Sequence, residues 1–248
     1  MTPAGTRAPG PGARAGSRPS LVLAVLLAAD LLLIAASVEA QRRGWSDGRY
    51  RQWLLRTENG WPEQFAYAKQ ATSAALLFLL WRRTRSGVFA AWAAVFACAL
   101  VDDRLQVHER VGRILARQLP LPQEVAGLRE QDLGELAVWG LAGVVPLVVV
   151  AVLHRRSPEH VRADSRGMAV VVAGYAFFGV VVDQFHTLTL GGPLDRGLGV
   201  LEDGGELVLL SVAVWYAGAL LAAARRAVAA PGDQDPARAS AEASSSPA

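Results

Sequence analysis

Asp183 and His186 stand three residues apart, Glu202 and Glu206 four apart, and Asp102-Asp103 shortly precede His108-Glu109. On a helix, i,i+3 and i,i+4 spacings put two side chains on one face. Asp183 can therefore share a centre with His186, and Glu202 with Glu206, with Asp203 beside Glu206 by i,i+3. Asp102 and Glu109, seven apart, nearly superpose around a regular helix, whereas His108 lies about 100° from Glu109. Asp102, His108 and Glu109 can meet at one centre only if the helix breaks between them. Carboxylates and imidazoles gathered from several helices are what a metal site in a bundle requires. Asp183-x-x-His186 is a shorter-acid analogue of the Glu-x-x-His pair of di-iron bundles. Mixed oxygen and nitrogen ligands suit a divalent zinc, iron or manganese ion, and an open position on it would activate water for hydrolysis. Asp102, Glu109, Asp183, His186, Glu202 and Glu206 are the candidate ligands. Asp103, His108 and Asp203 would bind directly or hold those ligands in place, and in a hydrolase one carboxylate would be the general base.

Two other readings compete. Acidic residues near helix N-termini, such as Glu58, Asp132, Glu202 and Asp203, are favoured by capping and the helix dipole. Arg104, Arg110 and Arg113 can pair with several carboxylates, giving a purely structural polar network or scaffold. An ion- or proton-coupled transporter is the third reading, although transporters commonly bind near the midplane and carry paired broken helices. No internal repeat is visible here. The sequence names no reaction.

The elements that must position these groups are helices in a bilayer. Hydrophobic residues make up 52% of the 248 and charged residues 19%, below the roughly 25% charged of a soluble domain. A spanning helix needs about 17 to 25 residues, and six segments qualify or nearly so: 21–40, 63–81, 87–101 (extending through Asp102 and Asp103), 133–154, 168–188 and 198–224. The spacing of charged and apolar residues over 104–119 predicts an interfacial helix ended by Pro120 and Pro122. The fold expected is an all-α polytopic bundle over 21–226, flanked by disordered tails, 1–20 and 227–248. With six spans, these candidate acids and both His108 and His186 fall at one end of the bundle, although the helices alternate in direction.

An ionisable group inside a span costs about 3 kcal/mol, so each needs a partner or a task. Asp30 sits mid-helix in the first span, and Lys69, the sole lysine, lies two turns inside the second. They can pair, or Lys69 can snorkel outward; a structural role is expected for both. Cys98, the sole cysteine, excludes an intramolecular disulfide and a cysteine-based zinc site, and reads as a small hydrophobe. Trp45, Trp53, Trp81, Trp139 and the Gly60–Pro62 turn suit interfacial anchoring. His154 and His160 read as solvated loop residues. The net charge of +3 comes from arginines in short flanks, with no stripe of the kind that binds nucleic acid; the partner expected is the lipid bilayer.

Those flanks set the orientation. Arg82, Arg83 and Arg85, then Arg155 to Arg166, then Arg225 and Arg226 all fall at the end opposite the acids, together with Arg7, Arg14 and Arg18. The positive-inside rule makes that end, and both termini, cytoplasmic in a plasma membrane. Arg42 to Arg56 in the first outer loop compete. Val38-Glu39-Ala40 after an apolar stretch resembles a signal-peptide cleavage site, but Asp30 and the length of the stretch favour a retained helix.

In combination, Asp102-Asp103-x4-His108-Glu109, Asp183-x-x-His186 and Glu202-Asp203-x-x-Glu206 resemble a set of uncharacterised multi-pass bacterial membrane proteins. Glu58-Asn-Gly-Trp-Pro-Glu63 is similar to their acidic turn before a helix. The resemblance spans residues 58–206 and implies a shared architecture, without an activity. A more distant similarity is to ceramidase-type membrane hydrolases, which hold zinc with histidines. His108 and His186 are one histidine short of that set.

Overall fold

The computed structural model describes residues 17–44, 48–119 and 122–229 apart from Gln123 and Ala126. Seven helices follow one another: α1 (Ser17–Arg42), α2 (Trp61–Thr84), α3 (Gly87–Leu105), α4 (Val107–Gln118), α5 (Glu130–Arg156), α6 (Glu159–Leu188) and α7 (Asp195–Ala229). A 3-10 turn, Gly48–Trp53, precedes α2. A two-residue hairpin, Glu124–Val125 with Leu128–Arg129, links α4 to α5 and is the one strand pairing among the described residues. The expected all-α bundle is present. Four helices, α1, α5, α6 and α7, are long and apolar enough to cross a membrane by length and composition. At 1.5 Å per residue α2 and α3 are also of near-spanning length, but α2 carries Glu63, Lys69 and two arginines and packs centrally, against α3 and α7.

Local chemistry explains the connections. Arg85 takes a left-handed conformation at the end of α2, its N–H bonding Trp81 O, and Ser86 opens α3 at once, so α2 and α3 form an antiparallel pair. Pro158 sits at the N-cap of α6, where its missing N–H costs nothing. The polar residues 159–166 continue the helix because Arg162 and Arg166 both bridge to Glu159, which is why α6 starts earlier than the apolar run beginning at Met168. Residues 17–20, expected in the tail, likewise belong to α1. At the other end residues 227–229, also expected in a tail, belong to α7; the rest of both expected tails, with Arg7 and Arg14, and also Trp45 and Pro120, lie outside the described residues.

The apolar core occupies one half of the bundle, the half toward the arginine-rich loops. Leu77 and Leu80 of α2, Val88, Phe89 and Trp92 of α3, Met168 of α6, and Leu210 and Ala217 of α7 are all buried there. Leu32, Leu141, Val145 and Val170 point outward and are 66–73% exposed, the surface a bilayer-facing helix presents. Cys98 is also exposed.

Buried polar groups are nearly all partnered. Lys69 points inward and is 2% exposed, so the snorkelling alternative fails. Its Nζ lies 2.7 Å from Asp30 Oδ1 and donates to Leu207 O at 2.7 Å and Ser211 Oγ at 3.2 Å. Ser211 in turn donates to Asp30. This clamp fastens α1 to α2 and α7. Near the other end of α1, buried Ser37 accepts the Leu55 N–H at 3.0 Å. His154 is a second correction. It lies in the last turn of α5, half-buried, with Nδ1 3.1 Å from Ser165 Oγ, which also accepts Trp92 Nε1 at 3.0 Å. His160 is exposed, as expected, but in the first turn of α6.

Candidate functional site

The helix does break where the chemistry needs it to. Gln106 adopts φ +49°, ending α3, and α4 starts at the next residue. Asp102 then caps α4: its Oδ1 accepts the His108 N–H at 2.9 Å and its Oδ2 lies 2.9 Å from His108 Nδ1. The imidazole packs against Trp139 of α5, ring centroids 5.3 Å apart, so Trp139 also buttresses the site. The amphipathic α4 lies on α5 at a glycine crossing. A Cβ on Gly112 would come within 2.7 Å of Glu135 Cγ, and one on Gly134 would strike Gly112 O. Arg104 donates to Asn59 Oδ1 at 3.0 Å, and neither it, Arg110 nor Arg113 forms an ion pair among the described residues.

One helical step from Asp102, Asp103 faces inward. Gln70 of α2 and the Tyr175 hydroxyl of α6, the latter at 3.2 Å, donate to its Oδ2. Gln70 Nε2 also reaches Tyr175 Oη at 3.0 Å. Tyr67 donates to Glu63 and to the Asp103 carbonyl. Across from Asp103, α7 offers Asp203 and Glu206. These elements enclose a pocket of about 220 Å³ whose lining includes Glu58, Glu63, Asp103, Glu109, Asp203 and Glu206, with His108, Tyr67 and Tyr175; Arg56 is the basic residue on its wall. Asp203 and Glu206 make no hydrogen bond or ion pair with a described side chain.

Glu206 reaches this position because of the helix opposite. Residues Phe177–Val182 of α6 are wound as a π-helix, a wide turn that recurs at functional sites. Within it, Gly179 leaves open the space that the Glu206 carboxylate occupies, and a Cβ there would collide with Oε1.

A second cluster lies apart from the pocket lining. His186, in the last turn of α6, has Nδ1 2.7 Å from Glu202 Oε2 and Nε2 2.9 Å from Asp195 Oδ1. Asp195 Oδ2 accepts the Gly191 N–H at 3.1 Å. Asp183 receives Gln184 Nε2 at 2.9 Å and does not bond His186. The nine predicted residues are therefore divided. Asp103, His108, Glu109, Asp203 and Glu206 line the pocket; Asp102 positions His108; His186 and Glu202 are bonded to each other, and the Asp183 carboxyl pairs with that of Glu202 beside them. Among the described residues, no three His, Cys, Asp or Glu side chains are close enough together to hold a metal ion.

Sequence reasoning missed Gln70, Tyr67, Tyr175 and Asp195. Asp195 is seven residues from Glu202 and so on its face, a signal that was present. Tyr175 and Gln70 could be flagged only as polar residues inside spans.

The donor chemistry narrows what the pocket can hold. Both ring nitrogens of His186 face carboxylate oxygens, so neither is available to a ligand, and His108 Nδ1 is engaged by Asp102. What lines the cavity is mainly carboxylate oxygen and tyrosine hydroxyl, with the His108 ring beside them. Outside the spans, two groups feel the accumulated charge. Burial opposes protonation of His108, but the bond to Asp102 and the charges of Asp102, Glu109 and Asp103 outweigh it and raise its pKa. Burial and the neighbouring Glu135 and Glu58 raise that of Glu109 against the pull of His108 and Arg113.

Residues 20–222 match the family model described as Domain of unknown function (DUF8692), and the chain belongs to that family. No curated protein and no solved structure matches it.

Proposed function

We propose that this family member is a multi-pass membrane protein that binds a divalent cation in the acidic pocket between α2, α3, α4 and α7. The observation that carries the reading is the meeting of Asp103, Asp203 and Glu206 around one cavity, with Glu58, Glu63 and Glu109 also on its wall against Arg56 and His108. Carboxylates gathered in a low-dielectric setting repel one another, and a cation relieves that repulsion. An oxygen-rich donor set suits manganese better than zinc or iron among the ions considered, and magnesium or calcium equally. Binding would draw the three carboxylates together from their present separation.

Of the nine residues expected from the sequence, Asp103, Asp203 and Glu206 are the ligands of this reading, with Glu109 and His108 at the rim. Histidine-based zinc chemistry of the ceramidase type has less support, because His186 is committed to Glu202 and Asp195. The activity such a site would serve is hydrolysis of a membrane-embedded substrate, with a pocket carboxylate as base. A transporter reading has less support, since Leu77, Met168 and Leu210 fill the core beyond the polar layer. The positive-inside rule would place the pocket at the extracytoplasmic end in a plasma membrane, with both termini inside.

Metal content of detergent-purified protein, grown with manganese supplied, tests the reading against an Asp103→Asn/Glu206→Gln variant. Near-stoichiometric metal in the wild type and its loss in a folded variant are expected. Metal-free wild type under those conditions, or equal metal in both, would remove the proposal.

A further inference from the structure

The opposite end of the bundle holds a larger cavity, about 960 Å³, with a contrasting lining. Arg83 and Arg85 come from the end of α2, Arg156 from the end of α5 and Arg226 from the end of α7. One acid, Asp164, shares the wall, and Leu80, Phe89 and Leu153 form an apolar floor. Arg83, Arg85 and Arg156 make no ion pair with a described carboxylate, whereas nearby Arg162 and Arg166 are taken by Glu159. The cavity also borders the starts of α3 and α6, at Ser86-Gly87 and Ser157-Pro158.

We infer that this cavity binds the headgroup of an anionic phospholipid. The charge excess matches a phosphate, and guanidinium groups suit its oxygens. The floor is what separates a lipid from a free phosphate. On α5, Arg156 continues through Leu153 and Val152 to Val149, a single helical face by its spacing, and Val149 and Val152 are 44% and 41% exposed. A headgroup held by Arg156 therefore leads its acyl chain down an apolar stripe toward the bilayer core. This is also the end that the arginine bias assigns to the cytoplasm, whose leaflet carries anionic lipid.

The test is native mass spectrometry of the full chain in detergent, titrated separately with dioctanoyl phosphatidylglycerol, dioctanoyl phosphatidylcholine and inorganic phosphate. The wild type should bind the anionic lipid about tenfold or more tighter than the zwitterionic one, and phosphate alone more weakly still. An Arg83→Gln/Arg85→Gln/Arg156→Gln variant should lose the preference, by about fivefold for each arginine removed. Equal binding of the two lipids by the wild type overturns the inference. Phosphate binding as tight as the anionic lipid overturns the acyl-chain part and makes the ligand a soluble anion. Because the wild-type comparison needs no substitution, it decides the matter even where the variant fails to insert.

Discussion

The two halves of this bundle are built on different principles. Toward the arginine-rich loops, Phe89, Trp92, Leu77, Met168 and Leu210 interlock in an apolar core that opens outward on the arginine-lined cavity, and within it Trp92, Ser165 and His154 bond one another. Toward the acidic end, packing gives way to side-chain hydrogen bonds, a π-wound helix and a cavity faced by carboxylates. In a bilayer, where apolar burial gains little from excluding water, close packing and satisfied polar contacts hold helices together. One half thus supplies rigidity and leaves the other free to keep groups that repel each other. The Asp30–Lys69–Ser211 clamp ties α1 to α2 and α7, the helix that carries the pocket acids.

The comparison can be broken most sharply at the clamp. Lys69→Met strands a buried aspartate and should cost about 3–5 kcal/mol in reversible unfolding in mixed micelles. Lys69→Met with Asp30→Leu should regain most of it. A single variant as stable as the wild type would show that the clamp does not hold the helices. Next, Leu77→Ala in the apolar half should cost about 2–5 kcal/mol and leave cation affinity unchanged, while Glu206→Gln should abolish cation binding without lowering stability. Loss of both properties in either variant would mean that the halves are not separate.

Gly179→Ala places a methyl group where the Glu206 carboxylate sits. It should weaken cation binding by an amount corresponding to about 1–3 kcal/mol of displaced packing, again with the apolar core intact; unchanged affinity would dissociate the π-turn from the site. The smallest effect concerns α4. With the pKa of His108 raised in the folded protein, its bond to Asp102 contributes stability in full below about pH 6.5. That contribution is lost as pH rises through the raised value. Amide exchange at the start of α4 should accelerate over that rise, and His108→Gln should flatten the dependence.

Much of this was legible in the sequence because apolar run length is a strong signal: all six long segments became helices, and angular spacing showed that Asp102, His108 and Glu109 could share a centre only across a break, which Gln106 supplies. Boundaries were less legible, since Glu159–Arg166 looks like a loop until its ion pairs are seen. The acids' common end followed from helix direction, but their grouping did not. Spacing fixes which residues share a face of one helix, not which faces meet. The π-turn also changes the register of Asp183 and His186 relative to the preceding helix, which defeats a regular-helix argument for placing them. Lys69 illustrates the same limit, because its depth was readable and its direction was not.

The central claim is that the pocket acids, and not the His186 cluster, bind the cation. Calorimetric titration of manganese into wild type, Glu206→Gln and Glu202→Gln decides it. The account predicts one site in the wild type and in Glu202→Gln, and none in Glu206→Gln. Loss of binding in Glu202→Gln with retention in Glu206→Gln would contradict it.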